Sequence, residues 1–562
     1  MSVVARLFLG HYHPQPLLGL ARATVRPCRL PPTRFALHTT PSRPPSALIR
    51  RPAIVRHSTI DPAFLLAAVA LSAGAAYVLK DLVVSPIGDK SNDSTTALPQ
   101  HDQSFIDTMA SPKLAPGRPG NLTPEQEQKL KEMWLAVLEV FGVATQSANG
   151  TTTPSPTRDG EDKKKKKSRL SLFGRKKDDS DDGDDKHGQK KEYHEALASQ
   201  TPEQLRRCFW TFVKHDNPDA ILLRFLRARK WDVQAAMVMM ISTLHWRDQE
   251  MHVDDDIMLR GEGHALTACA SSNAAEKKEG EDFMIQLRMG KSFLYGLDKD
   301  GRPCCYVRVR LHRQGEQSEK SLERVTVYTI ETTRLLLKPN VDTATIVFDM
   351  TDFSMANMDY TPVKFMIKCF EANYPESLGS VLVYKSPWIF QGIWKIIRGW
   401  LDPVVAGKVH FVSGPDELSQ FIPREQIITE LGGENAFTYK YPEPAGKEDG
   451  KQEDTATRDA LAAERVEISN EYEKTTLAWI QGDAQSSAAA RQLLAERLAK
   501  NYWQADPYIR ARSLYDRAGV IQAEGSIDAY ALATKPTTVT ESKESEKAVA
   551  PPAVQTTNDD VD

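Results

Sequence analysis

Between Glu281 and Tyr441, short apolar runs alternate with stretches patterned as helices, and this alternation limits the fold more than any other feature. "TATIVFDM" (343–350), "GSVLVYKS" (379–386) and "VHFV" (409–412) are nearly continuous in apolar residues, as strands buried on both faces are. Helix-patterned segments separate them: "SEKSLERVTVYTIETTRLLL" before the first, "YTPVKFMIKCFEANY" before the second and "SPWIFQGIWKIIRGWLDPV" before the third. Strands alternating with helices predict a mainly parallel sheet covered by helices. Ahead of them, "KSFLYGLDKDGRPCCYVRVRLH" reads as a hairpin turning at Asp298-Lys299-Asp300-Gly301, with Cys304 and Cys305 on opposite faces of its second strand. The expected fold class is α/β, an all-helical amino-terminal subdomain followed by a mainly parallel-sheet lobe over 281–445.

Two capping boxes start the helical part. Thr123-Pro124-Glu125-Gln126 opens an amphipathic helix within 121–145, and Thr201-Pro202-Glu203-Gln204 opens a helical region spanning 193–250. Residues 251–280 read as a polar loop, 455–520 as a helical appendage, and the Thr/Ser/Glu/Pro-rich 521–562 as a disordered tail. The linker 146–192 holds nine basic residues in Lys163–Lys177, followed by six aspartates in Asp178–Asp185. It reads either as a solvated disordered segment or as a contact to anionic membrane, switchable at Ser168 and Ser171. The first 60 residues hold nine Arg and no Lys, Asp or Glu, the composition of a mitochondrial transit peptide (1–61). An uncharged run, Pro62–Leu79, sits at the short limit for a bilayer-spanning helix, with a linker over 80–120 behind it. Two readings stay open: a mitochondrial membrane anchor, or translation from Met109 to give a cytosolic protein peripheral on membranes. The six cysteines show no metal or disulfide spacing and are expected as reduced core thiols.

Signatures of catalysis are missing. Gly290-Lys291-Ser292 resembles the end of a phosphate-binding loop, but Ile285 stands where the loop needs its first glycine. No G-x-S-x-G or H-E-x-x-H occurs, and the histidines lack metal-ligand spacing. The expectation is a protein without enzymatic activity or metal. In "SPWIFQGIWKIIRGWLDPV", Trp388, Trp394 and Trp400 recur every six residues, about 240° apart on a helix, so three indoles would point to three sides. Such a segment is either a thick core helix or a cover over an apolar ligand whose outer side meets a membrane.

Four motifs in order carry a resemblance: "LLRFLRARKWDVQAA" (222–236), "DKDGRP" (298–303), "NYPESLG" (373–379) and "WLDPVVAGKV" (400–409). Together they resemble the CRAL-TRIO family of lipid-binding proteins. The spacing is similar to that of the fungal phosphatidylinositol transfer proteins, with "APGRPGNLTPEQEQKLKE" nearest the Csr-type branch. The resemblance implies a sheet flooring a hydrophobic pocket and a mobile helix gating it, with Trp388, Phe390, Ile393, Trp394, Ile397 and Trp400 at the gate position. It carries over headgroup roles to Arg229 and Lys230, to Glu376 for the inositol hydroxyls, and to Lys408. Cations suit a phosphate, and a carboxylate accepts hydroxyl hydrogen bonds.

Departures are also legible. Val405 replaces a threonine of the inositol site, and Leu294 and Cys305 stand where phosphatidylcholine binders place tyrosines. Ser354 matches a choline-lipid contact, but Ala356 follows it. The resemblance thus implies a bound phosphatidylinositol, no other cofactor, and a second ligand, sterol-like or isoprenoid, that is not phosphatidylcholine. Its partners would be phospholipid and membrane surfaces and lipid kinases, with no nucleic acid and a monomeric protein. The physics fits carriage: about 30 methylenes at roughly 0.8 kcal/mol each make free passage of a diacyl lipid through water cost about 20 kcal/mol. The alternative is a membrane-tethered scaffold or lipid sensor that works through 455–520.

Overall fold

The computed structural model describes residues 115–143, 185–482 and 484–533. The Arg-rich leader, the uncharged run Pro62–Leu79, the linker up to residue 114, the charged segment 144–184 and the tail beyond 533 lie outside the described residues. Among the described residues, no helix is long and apolar enough to cross a membrane.

Five helices build the amino-terminal lobe: α1 (Pro124–Val140), α2 (Gln189–Ser199), α3 (Pro202–Val213), α4 (Pro218–Ala228) and α5 (Val233–His245). Both capping boxes form, Thr123 with Gln126 and Thr201 with Gln204, and each leads with a proline at the first turn. Helix α2 starts inside the span read as a disordered linker. Its first residue, Gln189, is buried and donates to the carbonyl of Ala372 at 3.2 Å.

Residues 251–280, read as a loop, are mostly helical. The segments Trp246–Glu250 and Val253–Met258 are π-helical, followed by α6 (Leu259–Ala268) and α7 (Ala274–Arg288). The wider π turns break the 3.6-residue period, and α6 buries the carboxylate of Glu262 where an apolar residue would be expected. That carboxylate accepts from Tyr328 at 2.8 Å, Tyr441 at 2.7 Å and the Leu514 amide at 3.1 Å.

The sheet runs β1 (Ser292–Leu297), β2 (Pro303–Arg308), β3 (Ala344–Asp349), β4 (Leu378–Tyr384) and β5 (Val409–Val412), in that spatial order. The β1–β2 pair is antiparallel and the remaining pairs are parallel. Sequential order with right-handed crossovers puts every connecting helix on one face: α8 (Glu319–Leu335), α9 (Tyr360–Lys368) and α10 (Phe390–Arg398). Strand alternation sends Cys305, Ile346, Val381 and Val383 toward these helices, and Cys304, Tyr306, Val347, Leu382 and Tyr384 to the other face. All five cysteines among the described residues are free, and burial pushes the Cys305 thiol up to about 12.

Helices α11 (Thr455–Ile480) and α12 (Ala484–Ile509) form a hairpin that is no loose appendage. Ile468, Tyr472, Trp479, Leu494 and Leu498 join the core of the amino-terminal lobe, while Tyr502, Leu514 and Tyr515 join that of the sheet lobe. Asp219 at the start of α4 accepts from Trp134 Nε1 at 2.7 Å and the Tyr472 hydroxyl at 3.1 Å. Residues 521–533, read as disordered tail, cover the exposed edge of β1. The Gly296 amide donates to the Ala529 carbonyl at 3.0 Å and the Leu297 amide to the Tyr530 hydroxyl at 3.3 Å. Gly296 has φ +68°, and a Cβ there would meet the Tyr530 ring at 3.0 Å.

A buried ionic network joins the two lobes. Arg247, fully buried, donates to Glu331 Oε1 at 2.6 Å and Asp254 Oδ2 at 2.9 Å. Lys214 bonds Asp254, Arg334 reaches Asp216 Oδ2 at 2.9 Å, and the Tyr374 hydroxyl donates to Glu331 at 2.8 Å. Burial raises the Glu331 carboxyl, but Arg247, Arg334 and Lys214 outweigh it and hold the group well below the usual carboxylate range. Its contribution to stability is therefore full above the ordinary carboxylate pKa of about 4 and is lost as pH falls through the lower folded value. Arg247→Met removes the shortest ion pair of buried Glu331 and one partner of half-buried Asp254, and is expected to cost about 3–5 kcal/mol in urea unfolding at pH 7. The loss should shrink as acid protonates those carboxylates. A cost that stays constant down to pH 3 would contradict this account.

Candidate functional site

Between the helix-covered face of the sheet and α8, α9 and α10 lies a cavity of about 240 Å³. Val307, Ile346, Phe348, Val381, Val383 and Val409 form its floor. Leu322 and Val325 of α8, Val363, Met366 and Ile367 of α9, and Phe390, Trp394 and Ile397 of α10 form its walls and roof. Its polar lining consists of Gln286, Lys291, Ser292, Arg308, His312, Thr326, Asn357 and Asp359.

The roof differs from the sequence expectation. The segment read as one long three-sided helix is cut to nine residues, by Pro387 ahead of it and Gly399 behind it. Only Trp394 lies inside α10. Trp388 sits in the preceding turn, 84% exposed, and Trp400 in the following one, half-buried against Tyr360 with ring centroids 5.3 Å apart. The helix is amphipathic: Phe390, Ile393 and Ile397 are buried, while Gln391, Lys395 and Arg398 face out. Outside, Trp388, Ile389, Ile396, Val404 and Phe411 are exposed apolar residues, and from Lys385 to Leu401 the chain has three cations and no acid. Among the described residues, no side-chain hydrogen bond or ion pair holds α10. It rests on apolar contacts such as Phe390 against Phe353 at 5.8 Å and Trp394 against Phe411 at 5.3 Å.

Its carboxyl-terminal end is tied differently. Glu371 accepts from Lys186 at 2.6 Å, from His187 at 2.8 Å and from the Asp402 amide at 2.7 Å, and Lys186 also bonds the Trp400 carbonyl. Burial raises the Glu371 carboxyl, but His187 and Lys186 outweigh it and hold it below the usual range. The residues that lead into α2 therefore clasp the turn that follows α10.

Of the headgroup candidates, three are tied to residues 372–378. The carbonyl of Glu376, a residue at φ +55°, accepts from Arg224 at 3.1 Å, and its carboxylate lies 3.9 Å from Arg227 Nε. Lys408 donates to the Leu378 carbonyl at 2.7 Å. Arg229 caps α4 and bonds Gln189, itself on Ala372, and Lys230 next to it is exposed at φ +51°. Ser354 stands apart, after β3, where its hydroxyl and amide meet Asn357 Oδ1 at 2.8 and 2.7 Å. None of these five lines the cavity. Sequence reading missed Arg118, Arg224, Arg227 and Asp342. Arg118 and Arg227 lie 3.0 and 2.9 Å from Asp342, and burial together with Arg118 pulls the Arg227 guanidinium down to about 10. Arg224 and Arg227 share one helix face at i, i+3 within the quoted "LLRFLRARK" and were readable there; Arg118 and Asp342 meet only in three dimensions.

Family models match two parts of the chain, the CRAL/TRIO N-terminal domain over residues 191–242 and the CRAL/TRIO domain over 287–433. A CRAL-TRIO domain-containing protein of Schizosaccharomyces pombe is 44% identical over 428 residues, covering 73% of this chain and 93% of that protein. The chain belongs to the CRAL-TRIO family. The phosphatidylinositol transfer protein CSR1 of Eremothecium gossypii is 38% identical over 442 residues, covering 73% of this chain and 99% of that protein. Among solved structures, that of Sfh5 overlaps 44% of this chain and 77% of its own at a TM-score of 0.31 and 16% identity. The CRAL-TRIO models do not extend over α6, α11 or α12, which pack into the same two cores. The Glu371 clasp ties the segment just ahead of the CRAL/TRIO N-terminal match to the CRAL/TRIO domain. Glu371→Ala should raise amide hydrogen exchange at 399–404 about tenfold, the equivalent of one charged hydrogen-bond set, with β3 and β4 unchanged. Unaltered exchange at 399–404 would show that the clasp does not restrain the turn.

Proposed function

We propose that the protein is a non-enzymatic phosphatidylinositol transfer protein that holds one lipid in its cavity and exchanges it at membranes by movement of α10. The observation that carries the reading is the roof itself. Helix α10 turns Phe390, Ile393 and Ile397 onto the cavity, presents Trp388 and Ile396 outward beside Lys395 and Arg398, and is held by apolar contact alone among the described residues. Apolar contact with the cavity can be exchanged for apolar contact with a bilayer at small net cost, and the cations suit an anionic surface. The surplus of cations around Glu376, with Arg224, Arg227 and Lys408 close by, supports a phosphate and hydroxyl head at the start of β4. Similarity to CSR1, named for phosphatidylinositol transfer, supports the same ligand.

Leu294 and Cys305, paired across β1 and β2 on the cavity side of the sheet, offer no hydroxyl, which supports a second ligand other than phosphatidylcholine. Presentation of the lipid to kinases, action as a monomer and a mitochondrial or peripheral membrane location belong to the same proposal. The scaffold reading is not favoured, because α11 and α12 spend their apolar faces on this chain's own cores.

Transfer of labelled phosphatidylinositol between vesicles tests the reading. Lys230→Ala with Lys408→Ala should abolish pickup of phosphatidylinositol and leave the circular dichroism spectrum unchanged. Trp388→Ala with Ile396→Ser should slow exchange about tenfold through lost insertion of apolar surface, while lipid already bound is retained. Wild-type protein that purifies free of lipid and moves none would refute the proposal.

A further inference from the structure

Gly290-Lys291-Ser292, which fails as a phosphate-binding loop, enters β1 at the polar lining of the cavity. Lys291 is buried, and its partners are both neutral: Nζ donates to Gln317 Oε1 at 2.5 Å and lies 3.3 Å from His312 Nδ1. An ammonium has three donors, so one is left. Among the described residues, no carboxylate is within ion-pair distance of it. Asp282 is engaged by Lys278 and the Ser318 amide, and Glu316 is exposed. Asp359 caps α9 through Thr361 and stands behind His312, 3.4 Å from its Nε2. That Nε2 is itself buried without a hydrogen-bond partner.

A buried cation without a paired anion is costly. The compensating group must arrive with an apolar body, because most of the lining is aliphatic and aromatic, and Arg308, the other cation there, is already paired with Glu430. One ammonium matches one negative charge; a dianion would leave charge facing Asp359, and a quaternary ammonium would meet Lys291 head-on. The place is also separate from the headgroup candidates. Lys291 pairs with the end of β2 through the Arg308 amide, where the parallel strands finish, whereas Glu376 and Lys408 gather where β4 starts. Seven residues of β4 span ~20 Å, too far for one head to serve both.

We propose that Lys291, with Ser292 and His312, forms a second headgroup subsite that takes the carboxylate of a long-chain fatty acid, its chain lying along the aliphatic cavity. The proposal rests on the reading of the cavity as a lipid pocket. Burial pulls the Lys291 ammonium down to about 8, with Glu316, Asp282 and Asp359 acting the other way. Burial and Lys291 hold the His312 imidazole below its usual range, so His312 adds no positive charge at neutral pH. The site therefore carries its cation below about pH 8 and loses it above, and carboxylate binding weakens in that direction.

The test offers full-length protein, stripped of lipid, oleate or oleyl alcohol in the same phosphatidylcholine vesicles, with retained lipid read by native mass spectrometry. In parallel, phosphatidylinositol transfer is measured. Oleate should be held about tenfold better than the alcohol at pH 7, with the preference narrowing by pH 9. Lys291→Met should erase the preference and Lys291→Arg keep it. If Lys291→Met also loses transfer through the stranded Gln317, Lys291→Gln, which keeps a donor for Gln317, carries the same expectation. Equal retention of acid and alcohol by the wild type, or a preference that survives loss of the charge, overturns the subsite. Phosphatidylinositol transfer without oleate preference overturns this proposal alone; uptake of neither lipid overturns the pocket reading with it.

Discussion

The buried charges around Arg247 fix how the two lobes meet, and the remaining geometry follows from that join. Three cations (Lys214, Arg247, Arg334) face three carboxylates (Asp216, Asp254, Glu331), contributed by the turn after α3, the π segments and α8. Apolar surfaces slide over each other at little cost; hydrogen-bonded charges do not, since any shift leaves a buried ion unpaired. Tyr374 is drawn into the same network through Glu331, so the turn that carries Glu376 is set by the join. Helix α4 then brings Arg224 and Arg227 to that turn. The cation-rich patch at the start of β4 is a consequence of how the lobes are locked together.

The cavity follows from the choice of side chains on the two faces of one sheet. On the face away from α8–α10, Phe293, Tyr295, Tyr306 and Tyr384 fill the space with rings, including Tyr295 stacked on Phe437 at 3.8 Å. On the other face the floor is mostly Val and Ile, whose short branches fill less of the space beneath the covering helices. Because every crossover helix lies on that face, the unfilled volume is gathered into one apolar space.

The regular parts of this arrangement were legible. Buried strands, the hairpin at Asp298–Gly301 and both capping boxes follow from local pattern, and the four ordered motifs carry the family resemblance. What escaped was non-local. The π segments carry Arg247 and Asp254 out of helical phase, and Asp254 falls in the span read as a polar loop. Gly399 and Pro387 cut the tryptophan segment to nine residues, a boundary that the six-residue spacing of the indoles concealed. Lys186 and His187 lie at the end of an acidic run and have meaning only beside Glu371, 184–185 positions away. Residues 521–533 look disordered by composition but supply hydrogen bonds to an edge strand that would otherwise lack them.

The roof sets the energetics of lipid exchange under the proposed function. Burial of Phe390, Ile393 and Ile397 is worth about 1.5–3 kcal/mol per side chain, so lifting α10 into water costs roughly 5–9 kcal/mol. At that cost the open form is a very small fraction of the protein in solution, and a carried lipid stays enclosed. At a bilayer the same three side chains can pass from one apolar phase to another, and the penalty largely cancels. The clasp at Glu371 adds a polar restraint at one end only, so the amino-terminal end of α10, next to the exposed Trp388, is the end freer to lift. A roof held by grease along its length and by charge at one hinge would open where it touches the membrane first and return to the same register when it leaves.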